Sequence, residues 1–247
     1  MSTDAEHALS FGAVADVYER GRPGYPVEAV AWLLPAGARR VVDLGAGTGK
    51  ATRVIAPLVA ETIAVEPDGG MRTQLQQGLG AVPGLTVLDG SGEHIPMPDA
   101  SVDAVVAAQA WHWVDPAVGS AEVGRVLRPG GTFGLVWNIR DERVPWVAAL
   151  TAIMQQPHEH VESAVAPDVR APFGEVERHA VPWVHEQDRA AFVDMVASRS
   201  YVSTLPDAER GDVLRRVRDL LDTHPALVGQ DTIPVPYTAF CFRAVRP

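Results

Sequence analysis

The feature that most limits what this chain can fold into is the run Arg40-Val41-Val42-Asp43-Leu44-Gly45-Ala46-Gly47-Thr48-Gly49-Lys50. Two β-branched residues, an acid and three alternating glycines lead into a segment able to start a helix, so the run reads as strand, tight turn, helix. Glycine at Gly45, Gly47 and Gly49 permits the positive φ of a sharp turn, and the absent Cβ atoms let a ligand approach the backbone.

The same alternation continues downstream. Strands are predicted over 62–67, 85–88, 101–108 and 132–137, and helices over 52–58, 70–78 and 121–127. The nearly continuous apolar run at 101–108 is expected of a strand covered on both faces. Alternating strands and helices imply a parallel sheet, with ligands at the carboxyl ends of its strands. Upstream, helices are predicted over 11–19 and 27–34, separated by Arg20-Gly21-Arg22-Pro23-Gly24-Tyr25-Pro26, a loop that its prolines and glycines keep from being helical. That loop reads either as a surface connector or as a lid with Tyr18 and Arg22 facing a ligand. Beyond residue 140, helices are predicted over 145–156, 188–199 and 207–223, and strands over 176–184 and 236–243, with Pro182 marking an edge or bulge.

Composition narrows the class. A chain of 247 residues, 47% hydrophobic, can bury one substantial core, and one domain over 1–247 is expected. Its parts are an N-terminal lid region (1–35), a ligand-binding core (36–140) and a region carrying the later helices and the last two strands (141–247). A formal net charge of −10 repels nucleic acid and anionic membranes, so neither is an expected partner. Cys241 is the single cysteine, which excludes an internal disulfide framework. With a polar, acidic start and no long apolar run, a cytoplasmic protein is predicted, monomeric or homodimeric. His158, Glu159, His160 and Glu162 crowd one segment, but it reads as solvated and no metal site is predicted.

The turn is compatible with a dinucleotide or with S-adenosylmethionine. A dinucleotide fingerprint requires a third glycine where this chain has Lys50. Asp43, two residues before the first glycine, would repel a phosphate and suits a cation instead. Glu66, about 20 residues beyond Gly45, stands where an acid reaches ribose hydroxyls. S-adenosylmethionine, which carries an ammonium and a sulfonium and no phosphate, matches both acids.

On these motifs the chain resembles the class I S-adenosylmethionine-dependent methyltransferases, in the ubiquinone-biosynthesis-like or type 11 branch. Val42 to Gly49 looks like the family's first motif, Val65-Glu66-Pro67 its ribose-binding strand end, and Leu127-Arg128-Pro129-Gly130-Gly131 its turn before strand five. Gln109-Ala110-Trp111-His112-Trp113 and Arg22-Pro23-Gly24-Tyr25-Pro26 are similar to features of a trans-aconitate-methyltransferase-like subgroup. The resemblance implies an α/β, three-layer Rossmann-like fold: a seven-stranded sheet in the order 3-2-1-4-5-7-6 with strand 7 antiparallel. It also implies S-adenosylmethionine as cofactor and a small-molecule methyl acceptor.

Cofactor contacts are expected from Tyr18, Arg22, Asp43, Gly45, Ala46, Gly47, Glu66, Pro67, Ser91, Gly92, Glu93 and Gln109. Ser91 stands where many relatives have an acid for the adenine amino group. His112 is the candidate general base, although a histidine between two tryptophans also fits a packing role. Trp111 and Trp113 would wall a flat acceptor or fill core, and Arg140, with Arg22, would favour a carboxylate. The acceptor is then a carboxylate, phenol or amine. Two other readings stay open on sequence: an NAD-dependent oxidoreductase, and a non-catalytic protein that binds S-adenosylmethionine.

Overall fold

The computed structural model describes residues 22–154 and 166–247. The helix predicted over 11–19, Tyr18, the end of the helix predicted over 145–156, and the 158–162 histidine and glutamate cluster lie outside the described residues.

Strands β1 (Arg40–Leu44), β2 (Glu61–Val65), β3 (Leu85–Leu88), β4 (Val102–Ala108), β5 (Leu127–Arg140), β6 (Val176–Asp188) and β7 (Thr232–Val245) form one seven-stranded sheet. Its order is β3-β2-β1-β4-β5-β7-β6. β7 runs antiparallel to both its neighbours, and the other pairings are parallel. The expected fold is therefore the observed one. Helices α1 (Val27–Leu33), α2 (Thr52–Ile55), α3 (Gly69–Leu79) and α4 (Pro116–Val126) connect or flank the first five strands.

Side-chain alternation along the strands separates two cores. Val42, Leu44, Val105, Ala107, Phe133, Leu135 and Phe242 pack with Val123 and Val126 of α4. Val41, Ala104, Val106, Val136, Ala239 and Cys241 pack with Ala29, Val30 and Leu33 of α1 and Ile55 of α2. Asp43 has the parity of Val41, so its side chain is directed into the second layer, beneath α2. A third core is helical: α5 (Pro145–Met154), α6 (Arg189–Ala197) and α7 (Asp207–Thr223) pack Leu150, Phe192, Val217 and Leu221 onto Ile233, Val235 and Tyr237 at the start of β7. Because β7 is antiparallel, that end lies beside the carboxyl end of β5, with Arg140 opposite Tyr237. The three helices roof the edge of the sheet where ligands sit.

Three elements differ from the sequence expectation for readable reasons. α4 begins at Pro116, not 121, because the Asp115 carboxylate accepts from the Ala117 and Val118 amides and Pro116 occupies the first helical position. β5 extends from Leu127 through the expected turn at 128–131, which is a register shift between the Val102–Leu127 and Ala104–Thr132 pairs. The helix predicted over 52–58 is α-helical only to Ile55, and Pro57 lies in a following 3-10 turn, Ala56–Leu58. Pro182 does fall on the edge strand, β6. Pro234 and Pro236 are tolerated in β7 because β5 pairing starts only at Tyr237.

One buried side chain ties the N-terminal loop to the sheet. Asn138, 6% exposed, donates to the Gly24 carbonyl at 2.8 Å and accepts from the Trp183 indole at 3.1 Å. Asn138→Ala would leave both partners unsatisfied, and a loss of about 1–3 kcal/mol of unfolding free energy is expected in urea titration. An unchanged midpoint would show that the bridge contributes nothing.

Candidate functional site

β1 delivers Asp43 to the carboxyl edge of the sheet with no exposed surface. Its Oδ2 accepts from the Thr52 hydroxyl at 2.5 Å, and its Oδ1 has no hydrogen-bond partner among the described residues. Burial, reinforced by the nearby Glu66 carboxylate and opposed by the Thr52 hydrogen bonds, pushes the Asp43 carboxyl up to about 7. A buried acid held this way is a site waiting for positive charge.

The glycine turn is anchored to β2. Gly45 and Ala46 donate their amides to the Val65 carbonyl at 2.8 and 3.1 Å, Gly47 donates to Glu66 Oε2 at 2.8 Å, and Gly49 to the Ala46 carbonyl at 2.9 Å. These amides are spent within the protein, so they form no open cradle for a pyrophosphate. Gly45 has φ +67°, and a Cβ there would lie 2.5 Å from that of Ala110. Gly47 also has positive φ, but nothing lies within 4 Å of where its Cβ would be. The turn thus presents a bare surface.

Glu66, 7% exposed, is held on both oxygens, with Oε1 accepting from the Asp68 amide at 2.9 Å. Each oxygen keeps a second lone pair. Burial raises its pKa while the two backbone donors oppose the shift. Pro67 follows this acid and precedes Asp68, whose carboxylate caps α3 through the Met71 amide. Arg72 donates to the Glu66 carbonyl at 2.6 Å and pairs with Asp89, joining the ends of β2 and β3.

A small cleft, open to solvent, lies over the turn. Asp43, Gly45, Ala46 and Gly47 form its floor; Arg22, Tyr25, Lys50 and Gln109 stand around it. Gln109 has φ +53°, unusual for a residue with a side chain, and its Nε2 donates to the Asn138 carbonyl at 3.3 Å. Such backbone strain at a cleft wall is characteristic of functional sites. Arg22 donates to the Ser198 carbonyl at 3.1 Å, which joins the cleft rim to the end of α6.

The remaining candidates divide. Ser91 and Gly92 sit in the loop after β3, where the Ser91 hydroxyl accepts from the Glu93 amide at 3.3 Å and Gly92 is packed on Val114. Glu93 Oε1 accepts from the Asp115 amide, tying that loop to α4. Trp111 is not a wall of the cleft: it is 3% exposed, edge-on to Phe133 at 4.8 Å, and its indole donates to the Asp168 carbonyl. Gly119 of α4 makes room for its ring. His112 is exposed and lies 4.7 Å from the Trp113 ring, and neither is among the described residues lining the cleft. Arg140 is buried at the end of β5. Sequence reasoning missed Thr52, Arg72 and Arg199. Thr52 was legible in principle, since the first turn of the helix after β1 must pass over Asp43.

A parallel sheet with one late antiparallel strand, a glycine turn and two acids at adjacent strand ends define a nucleoside-binding α/β enzyme. A family model described as a methyltransferase domain matches residues 42–135. An uncharacterized methyltransferase of Mycobacterium tuberculosis (strain ATCC 25618 / H37Rv) is 50% identical over 237 residues, covering 96% of each chain. A methyltransferase-like protein of Schizosaccharomyces pombe is 32% identical over 243 residues, covering 94% of this chain and 93% of its own. The solved structure assigned as a type II methyltransferase from Anaeromyxobacter dehalogenans superposes with a TM-score of 0.66 at 26% identity, covering 91% of this chain and 97% of that one. The chain belongs to the methyltransferase family, as an enzyme whose cofactor is S-adenosylmethionine.

Asp43 gives the protein a pH signature. Between about pH 4 and pH 7 the folded state keeps a proton that the unfolded chain has lost, so this group's contribution to stability falls as pH rises and is level above about 7. Asp43→Asn is expected to abolish that fall, gaining up to about 4 kcal/mol at pH 8 relative to pH 4 in denaturant titrations. Parallel pH profiles for the two proteins would refute it.

Proposed function

We propose that the protein methylates a small-molecule acceptor at oxygen or nitrogen, on a carboxylate, phenol or amine. The observation that carries this reading is the contact between the cleft rim and the helices packed on the start of β7. The α5–α6–α7 roof comes down to the cleft rim through the Arg22–Ser198 contact. An acceptor that enters under a protein roof, in a chain of net charge −10, is compact and is not a nucleic acid. The loop at Arg22–Pro26 and the segment Gln109–Trp113 favour the trans-aconitate-methyltransferase-like subgroup within the family.

When bound, S-adenosylmethionine supplies a methyl group on a sulfonium, which a nucleophile takes in line as a neutral thioether leaves. In this reading Glu66 accepts from the ribose hydroxyls through its remaining lone pairs. Asp43 lies under the methionine portion and compensates its positive charge, with Gly45, Ala46 and Gly47 as the bare surface beneath it. Arg22 would hold the methionine carboxylate. Pro67 holds Glu66 in place, the Ser91–Gly92–Glu93 loop borders the adenine, and Gln109 borders the methionine end near the transferred group. Alignment and exclusion of water do most of the work. His112, which is exposed, would serve as the base for an acceptor whose reacting proton lies beside it.

Calorimetric titration with S-adenosylhomocysteine tests the cofactor contacts. Glu66→Gln, which keeps an acceptor for one of the amides of Gly47 and Asp68, is expected to weaken binding about 10- to 100-fold through loss of charge-assisted hydrogen bonds. Unchanged affinity would remove Glu66 from the site. For the acceptor, radiolabelled S-adenosylmethionine is offered to pools of small carboxylates, phenols and amines, and to protein and nucleic-acid fractions. Label entering only the macromolecules would defeat the small-molecule reading.

A further inference from the structure

The polar groups of one β5 residue reach three segments around the cleft. Asn138 pairs with Ala239 of β7 in the strand ladder, and its backbone carbonyl accepts from Gln109 Nε2. Its side-chain amide donates to the carbonyl of Gly24, which lies between the cleft residues Pro23 and Tyr25, and accepts from the Trp183 indole on β6. These partners fix the residue type. A carbonyl only accepts and an indole N–H only donates, so one short, uncharged side chain has to do both. A carboxylate lacks the donor, and a hydroxyl is shorter. With Asn138 almost fully buried, solvent does not readily replace either bond.

Each partner leads to a different part of the site. The loop that carries Gly24 also holds Arg22 against the Ser198 carbonyl at the end of α6. Gln109, in its left-handed conformation, donates its backbone amide to the Val136 carbonyl at 2.9 Å, so main chain and side chain are both fixed by β5. The next residue, Ala110, is the one against which a side chain on Gly45 would collide, and the placement of Gln109 therefore bears on the cleft floor. Trp183 stacks on Tyr237 with ring centroids 5.6 Å apart and 27° between planes. It packs against both the core beneath α1 and the helical core of the roof.

We propose that Asn138 is a positioning residue for methyl transfer, coupling cofactor occupancy of the cleft to the placement of the helical roof through its two side-chain bonds. The inference rests on the cofactor lying over the glycine turn and goes beyond that placement. A cofactor against the loop at Arg22–Pro26 holds Gly24, Gly24 holds the Asn138 amide, and the amide fixes the Trp183 ring on which the roof packs. Ordering these groups falls to the first ligand, so the acceptor meets a site already set. Coupling of this kind is reciprocal, and loosening the roof end at Trp183 weakens the cofactor at the other end.

The test uses the full-length protein and S-adenosylhomocysteine. Trp183→Phe keeps a ring on Tyr237 and removes the indole donor, at a residue that is not among the described residues lining the cleft. It is expected to weaken S-adenosylhomocysteine about two- to tenfold in calorimetric titration. Asn138→Leu, similar in size and without polar atoms, is expected to weaken it at least as much. The double variant should lose no more than Asn138→Leu alone, because both changes break one chain of contacts. Nitrogen–proton correlation spectra of the indole groups supply a readout that a change in stability would not move. The chain has six tryptophans, and the signal lost in Trp183→Phe identifies Trp183. In the wild type that signal is expected to shift and to exchange more slowly when S-adenosylhomocysteine is added. In Asn138→Leu it should stop responding even at saturating ligand.

Unchanged affinity in Trp183→Phe would overturn the coupling, and would do so even if Asn138→Leu failed to fold. A Trp183 signal that ignores the ligand in the wild type, or follows it equally in Asn138→Leu, would overturn it as well. So would losses in the two single variants that add in the double. Titration of Glu66→Gln tests the underlying cofactor placement separately, so the two failures are told apart.

Discussion

Two amides on one carbonyl hold this site together. Gly45 and Ala46 both donate to Val65 at the end of the neighbouring strand, and that shared acceptor fixes where β1 stops and the turn begins. Once it is fixed, Gly47 meets the carboxylate of Glu66, and the Asp43 side chain is directed under Thr52. The alternation of a strand then does the rest, because residues with the parity of Asp43 belong to the layer beneath α2. A turn one residue longer would move the acids relative to one another and put the wrong atoms at the cleft floor.

Charge is sorted across the cleft. Asp43 and Glu66 lie on the β1–β2 side, each pushed by burial toward holding its proton. Arg22 lies on the opposite rim, with Arg140 and Arg199 behind it. A ligand whose charges are distributed in the opposite sense suits both sides. This polarity also bears on the dinucleotide alternative, since the acids stand where a pyrophosphate would need donors, and the turn amides that could have supplied them are already bonded within the protein.

How much of this could be read from residues alone depended on how local the cause was. The glycine spacing, the acid at the end of β2 and the unbroken apolar run of β4 are local, and they sufficed for a parallel α/β sheet; its strand order followed from the resemblance to the class I methyltransferases. Helix bounds were misplaced where a cap was overlooked, as at Asp115, or where Pro57 turned the end of a helix into a 3-10 segment. Between the two readings of Trp111, acceptor wall or core, local sequence could not choose. Its position after a strand looked like a binding wall, but a glycine one turn into α4 opens a core slot for its ring, a contact of distant origin that no spacing rule announces. Arg199 was invisible for the same reason: it lies far in sequence from Arg22 and Arg140, and only the descent of the helical roof brings the three together.

The place of β7 has a consequence for how the chain reaches this state. β6 is joined to the sheet through β7, the segment made after it, while the carboxyl-terminal part of β5 waits for that same segment as its partner. During synthesis the first five strands can therefore assemble with one open flank, and the roof helices remain without their platform until the final strand slides between β5 and β6. The roof at the cleft rim is thus assembled only after the strands that carry the glycine turn and Glu66.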